Sequence, residues 1–191
     1  MRIRWNPWHW LFTALFAAVF SSLISTAEEW LALLIVSYPL GRFSFSLFKR
    51  YFFKKAVAFD MGGVVTQGDF YTEEIREMPG TRDLIERLRV NYKVALLSNM
   101  NALAFVPFDQ KFGLSRLFDE VIVSGKVGSK KPDEKIFRAA LSKLRVSEMN
   151  LYFLDDTAEN VVAAEKIGIR GIVFKNAQQA EGELKAMGLN F

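Results

Sequence analysis

The sequence predicts an α/β domain on a parallel sheet of about five strands, running from residue 54 to residue 191. Three observations carry that expectation. Short apolar runs recur at residues 56–59, 93–97, 120–123, 151–154 and 171–174. Strands covered on both faces read as near-continuous apolar runs, not as an apolar–polar alternation. Each run is followed, after a loop, by a stretch with apolar residues three or four apart, at 82–89, 101–112, 133–144, 158–167 and 177–187. That spacing is the mark of an amphipathic helix, and strict strand–helix alternation implies a parallel sheet with helices on both faces. The helix punctuation agrees. Pro132 opens one helix, and Gly168 and Gly188 follow two others.

The first element in the chain is of another kind. Residues 5–27 hold no formal charge with His9 neutral, and they include Trp5, Trp8 and Trp10. As a helix they reach roughly 35 Å, enough to cross a bilayer core, with the Trp cluster suited to the interface. After Glu28 and Glu29 comes a second apolar run, 30–41, containing Pro39, and then a Phe-rich basic stretch to Lys55. A helical hairpin, a single span and an interfacial second helix all fit this pattern. The expectation is an apolar helical segment, residues 1–53, that attaches the domain to a membrane through residues 5–53. The catalytic domain is then cytoplasmic, on the inner face of that membrane. Three other readings compete: a signal peptide cleaved after Ser25-Thr26-Ala27, a helical pair packed on the domain, and an extension foreign to the natural chain.

Composition excludes several chemistries. The chain has no cysteine, and its one histidine is His9. Residues 56–191 therefore cannot form a Ser-His-Asp triad, a Cys-His dyad or a His- or Cys-ligated zinc site. Seven basic residues precede Ala56 against two acidic ones, while residues 56–191 balance eighteen against nineteen. The basic character belongs to the N-terminal segment, and the domain gives no electrostatic reason to invoke nucleic acid.

The strand ends carry the chemistry. The first strand ends in Asp60, followed by Met61-Gly62-Gly63. The second ends in Ser98-Asn99, the third leads on to Lys131-Pro132-Asp133, and the fourth ends in Asp155-Asp156. In a parallel sheet these ends share one edge, where side chains can converge. Together they suit phosphoryl transfer. A carboxylate can attack phosphorus, and a group of carboxylates forms a hard-oxygen site for Mg²⁺. A hydroxyl can hold a phosphoryl oxygen, a lysine can neutralise it, and glycines let the main chain approach closely.

These residues resemble the haloacid dehalogenase-like hydrolase superfamily, nearest its glucose-1-phosphatase-like and epoxide-hydrolase N-domain-like branch. The likeness covers about residues 54–189. It rests on Phe59-Asp60-Met61-Gly62-Gly63-Val64-Val65, Leu96-Leu97-Ser98-Asn99, Lys131-Pro132-Asp133-Glu134, and Phe153-Leu154-Asp155-Asp156 with Asn160. The resemblance implies a Rossmann-like three-layer sandwich and a Mg²⁺-dependent phosphatase working through an aspartyl-phosphate. It implies Asp60 as nucleophile and metal ligand, and Lys131 as the neutralising catalytic residue. Ser98, Asn99 and Gly63 hold the phosphoryl group. The Gly62 carbonyl, Asp155 and Asp156 complete the metal site. The expected substrate is a phosphorylated small molecule or a surface-held phosphate.

The sequence departs from the family pattern twice. The usual acid–base carboxylate, two residues after the nucleophile, is Gly62 here, with Asp69 the candidate substitute. The segment between Asp60 and Gly80 has room for a flap and a minimal cap, so the site is expected to be open. Both departures motivate an alternative: a catalytically weak or inactive scaffold that binds phosphate on the same fold, tethered to membrane.

Overall fold

The computed structural model describes residues 55–68 and 74–191. The expectations for residues 1–53, including membrane attachment, lie outside these residues, as does Asp69. Among the described residues, no helix is long and apolar enough to cross a membrane.

The chain enters the domain through β1 (Ala56–Phe59), and a short antiparallel flap follows, β2 (Thr66–Gln67) with β3 (Arg76–Glu77). Next come α1 (Thr81–Arg89), β4 (Lys93–Ser98), α2 (Ala102–Phe112) and α3 (Leu114–Leu117). After β5 (Glu120–Val123) the chain forms α4 (Ser124–Val127) and α5 (Glu134–Leu144). A 3-10 turn at Glu148–Asn150 leads into β6 (Leu151–Asp155). The last elements are α6 (Ala158–Lys166), β7 (Arg170–Val173) and α7 (Ala177–Ala186). The five long strands form one parallel sheet in the order β5-β4-β1-β6-β7.

Alternation along each strand divides the core into two layers, because successive side chains point to opposite faces. Val57, Phe59, Val94, Leu96, Tyr152 and Leu154 lie in one cluster, with Leu84, Ile85 and Leu88 of α1 and Leu184 of α7. Ala56, Ala58, Ala95, Leu97 and Phe153 lie in the other, with Ile136, Phe137, Ala140 and Leu144 of α5. On the second face Phe137 of α5 meets Phe153 of β6 edge-on with ring centroids 5.4 Å apart. Fully burying one such side chain contributes about 1.5–3 kcal/mol. The result is the expected three-layer sandwich.

Element ends differ from expectation for local reasons. Ser98 and Asp155 extend β4 and β6 by one residue each, because their main chains still pair with Val123 and Val173. Asn101 and Asp133 stand just outside their helices as caps, and the Asn101 side chain accepts a hydrogen bond from the Leu103 N–H at 2.9 Å. α3 and α4 are four residues each, too short to show a helical period.

Candidate active site

Four segments deliver the site to one edge of the sheet. Asp60 follows β1 and donates its main-chain N–H to the Leu154 carbonyl of β6 at 2.8 Å. This bond fixes the residue against the strand that ends in Asp155. Ser98 closes β4, Asp155 closes β6, and Lys131 comes from the loop before α5. The central element is Lys131, whose ammonium donates to Asp60 Oδ1 and to Asp155 Oδ2, both at 2.6 Å. Its side chain is 1% exposed, and its Nζ lies 5.3 Å from the centroid of the Phe153 ring.

Asp155 is fully buried and its hydrogen-bonding capacity is well used. The Thr157 N–H donates to Oδ1 at 2.9 Å, and Asn160 Nδ2 lies 3.1 Å from each carboxylate oxygen. Asp60 is less well supplied. Burial pushes its carboxyl up to about 6, the Lys131 ammonium pulls against this, and the Asp155 carboxylate adds to the rise. Both causes of the rise penalise the charged form in a poorly solvated, negatively charged setting.

Asp156 supplies a third carboxylate. One oxygen from each of Asp60, Asp155 and Asp156 lies within 4.8 Å of the others. Three carboxylates face a single ammonium, so the group retains net negative charge when all are ionised. An all-oxygen set of this kind fits Mg²⁺, which is held by a few carboxylates and keeps several waters. Gly62 lies in the lining of the pocket beside Asp60. The loop around it is closed by Thr66 N–H to the Met61 carbonyl at 2.8 Å and Gly63 N–H to the Thr66 carbonyl at 2.7 Å. That bridge uses the groups on either side of Gly62 and leaves its own carbonyl out.

Two of the expected substrate-binding residues make close contacts within the protein itself. Gly63 was expected beside the phosphoryl group, but it stands outside the pocket lining and lies against Asp156. Its φ is +74°, and a Cβ there would come within 2.0 Å of Asp156 Oδ2. Glycine here makes room for the third carboxylate. Gly63→Ala is therefore expected to displace Asp156 and to raise the Mg²⁺ concentration giving half-maximal activity by about tenfold or more. A metal titration of activity checks this, and an unchanged midpoint refutes it. Asn99 lines the pocket, and both polar atoms of its side chain are engaged by the main chain of Lys131.

Asp60, Met61, Gly62, Ser98, Asn99 and Lys131 line a pocket of about 430 Å³, together with Met100, Asn101, Thr157 and Asn160. The Ser98 hydroxyl makes no hydrogen bond to the described residues, although the residue is only 5% exposed. The family resemblance includes Asn160 in its fourth motif without a role of its own, and the sequence gives none to Thr157. Their signal, a Thr and an Asn two and five residues after a strand-end Asp, is indistinguishable from ordinary helix-start chemistry.

The family comparison bears directly on this geometry. A profile of haloacid dehalogenase-like hydrolases matches residues 50–174, a span that contains Asp60, Ser98, Lys131 and Asp155. The chain belongs to this family. Among curated haloacid dehalogenase-like relatives, a glyceraldehyde 3-phosphate phosphatase of Pyrococcus abyssi is 27% identical over 115 residues, 59% of this chain and 48% of the relative. The chain spans about half or less of the length of the curated relatives it matches. Solved structures agree on the fold. An uncharacterised Corynebacterium glutamicum protein superposes with a TM-score of 0.59 at 24% identity, over 72% of this chain and 97% of its own. A family enzyme of Bacteroides thetaiotaomicron, crystallised with magnesium and inorganic phosphate, superposes at 0.57 with 18% identity, over 64% of this chain and 95% of its own.

Proposed function

We propose that this hydrolase is a Mg²⁺-dependent phosphatase that forms an aspartyl-phosphate on Asp60. The observation that carries the reading is the Lys131 ammonium held between Asp60 and Asp155 at 2.6 Å from each, with Asp156 completing the carboxylate group. In the first step an Asp60 oxygen attacks phosphorus and the bond to the leaving oxygen breaks, its electron pair departing with that oxygen. Ser98, through its free hydroxyl, and Asn99, through its main chain, hold phosphoryl oxygens, while Lys131 neutralises charge on Asp60 and the transferred group. In the second step water attacks the acyl phosphate, which releases inorganic phosphate and restores the carboxylate. Asp60, Asp155, Asp156 and the Gly62 carbonyl would hold the metal ion, which when bound supplies positive charge against the phosphoryl oxygens.

The substrate class follows from what stands near Asp60. The position two residues on is Gly62, so no carboxylic acid there protonates the leaving oxygen. Acid–base help of that kind is worth about 10²–10⁴-fold. Phosphates with good leaving groups, aryl and acyl phosphates, are favoured over alkyl phosphates among small phosphorylated molecules. The membrane attachment of residues 5–53, with the domain on the cytoplasmic side, is proposed on sequence alone.

The test is hydrolysis across a phosphate panel with Mg²⁺ and with EDTA. The expected result is turnover only with Mg²⁺, with aryl phosphates faster than alkyl phosphates by about 10²-fold or more. Equal rates on both remove the leaving-group argument. Phosphate and Mg²⁺ binding without turnover on any substrate overturns the phosphatase reading and favours the scaffold, which the glycine at position 62 otherwise supports.

A further inference from the structure

The Lys131 side chain joins two carboxylates, but its own backbone lies in a loop between α4 and α5, outside any strand. A lysine is a point charge on a flexible stem, so its placement depends on where the main chain starts it. That main chain is gripped from the sheet. The Lys131 N–H donates to Asn99 Oδ1 at 2.6 Å, and Asn99 Nδ2 donates to the Lys131 carbonyl at 2.8 Å. The two bonds close a ring between one amide side chain and both polar groups of one residue. Asn99 follows directly on Ser98, the last residue of β4, so the loop is referenced to the rigid centre of the fold. The amide has further capacity for hydrogen bonding, but its orientation is set by this pairing.

We propose that Asn99 is the positioning residue for Lys131, acting on the reacting atoms through the lysine and not as a side-chain ligand of the phosphoryl group. The inference rests on the phosphatase reading and adds to it. The grip differs in kind from that on Asp155, where Asn160 and the Thr157 N–H bond the carboxylate itself. On the lysine the charged head is left for Asp60 and Asp155, and only the main chain is held. A slack loop lets the ammonium drift, and a displacement of about 1 Å at a reacting group can cost about 10²-fold in rate.

The test is a double-mutant cycle of Asn99→Ala and Lys131→Met, read with an aryl phosphate and Mg²⁺ after thermal melts establish that each variant is folded. Asn99→Ala is expected to lower kcat by about 10- to 100-fold, leaving KM and inhibition by inorganic phosphate within about threefold. In the Lys131→Met background the same change is expected to alter kcat by less than about twofold, since a residue that acts through another has nothing further to remove. A rise in KM and in the phosphate inhibition constant with kcat intact identifies a direct ligand and overturns the proposal. So do losses that multiply across the cycle. Asn99→Asp provides a second variant if Lys131→Met does not fold. Facing the Lys131 carbonyl, its carboxylate lowers kcat at near-constant KM; facing the phosphoryl group, it raises KM steeply. If the wild type shows no turnover, the phosphatase reading fails. The same cycle read as inorganic phosphate affinity by calorimetry then decides the role of Asn99: a loss that persists in the Lys131→Met background identifies a direct ligand and refutes positioning, and no loss beyond about threefold, or one that vanishes in that background, supports it.

Discussion

Asp60→Asn abolishes phosphate hydrolysis and, with metal removed, makes the fold more stable near neutral pH. The first effect is loss of the proposed nucleophile, expected to lower kcat by about 10⁴-fold or more. The amide keeps the shape of the carboxylate and still accepts a hydrogen bond from Lys131, which at 2.6 Å is the contact to preserve. The second effect follows from burial. The Asp60 carboxyl is pushed up to about 6 from an ordinary value of 3.8. Below about pH 4 the folded and unfolded chains both hold the proton, and the contribution of the neutral carboxyl to stability is fully present. As pH rises from about 4 to about 6, the unfolded chain loses its proton first, so the contribution is lost through that interval. Above it the folded protein carries an ionised carboxylate in an unfavourable place. Asparagine has no such proton to lose. The variant is expected to gain on the order of 1–3 kcal/mol over the wild type at about pH 7.5, and nothing below about pH 4. Urea denaturation of both proteins in EDTA across that range measures the difference. Parallel curves at all pH values would show that Asp60 is not held against its own ionisation.

Lys131→Met is expected to act in the opposite direction on stability and in the same direction on rate. Methionine keeps an unbranched apolar stem against Phe153 but removes the ammonium from between Asp60 and Asp155. Three carboxylates then share a site within 4.8 Å without a cation. Breaking a buried pair by removing one partner costs about 3–5 kcal/mol, because the fully buried Asp155 is left without its countercharge. The loss should shrink as pH falls and Asp60 takes up a proton. Added Mg²⁺ should raise the melting temperature of the variant more than that of the wild type, since the ion supplies the missing charge. The rate is expected to fall by about 10²–10³-fold, the usual scale for one electrostatic donor at a reacting centre. Thermal melts with and without Mg²⁺ decide the matter. A variant as stable as wild type, with no larger response to Mg²⁺, means that Lys131 does not balance this charge.

The main features of the sheet were legible because buried strands have an unmistakable texture. Ala56–Phe59 and Glu120–Val123 form the strands expected at those positions. The apolar runs stop at residues 97 and 154, one short of the ends of β4 and β6, since a hydrophobic pattern cannot see a main chain that continues to pair. The flap strands, two residues each, fall below any period. The convergence of Asp60 and Asp155 was legible too, as strand ends in a parallel sheet share an edge, while Lys131, in the loop before α5, was expected beside them from the family resemblance. The partners of Asn99 and Gly63 were not. An amide hydrogen-bonds a ligand or a distant main chain with the same atoms, and Asn99 and Lys131 are far apart in sequence. A glycine states that something comes close, not what; beside Gly63 it is a carboxylate of the same protein.

The order of the sheet bears on how the protein is made. Among the described residues β1 is the first strand synthesised, yet it is the middle strand of the sheet, and its neighbours β4 and β6 come from residues 93–98 and 151–155. On the ribosome Asp60 emerges before the other site residues, and its strand waits with both edges unpaired. Its nearest countercharge and the second carboxylate of its pair arrive only when most of the chain has been translated. A nascent chain halted before β6 has neither the sheet partner that fixes the Asp60 N–H nor the carboxylate that shares Lys131. Catalytic competence is therefore among the last properties the growing chain acquires, although the residue that defines it is among the first of the domain to appear.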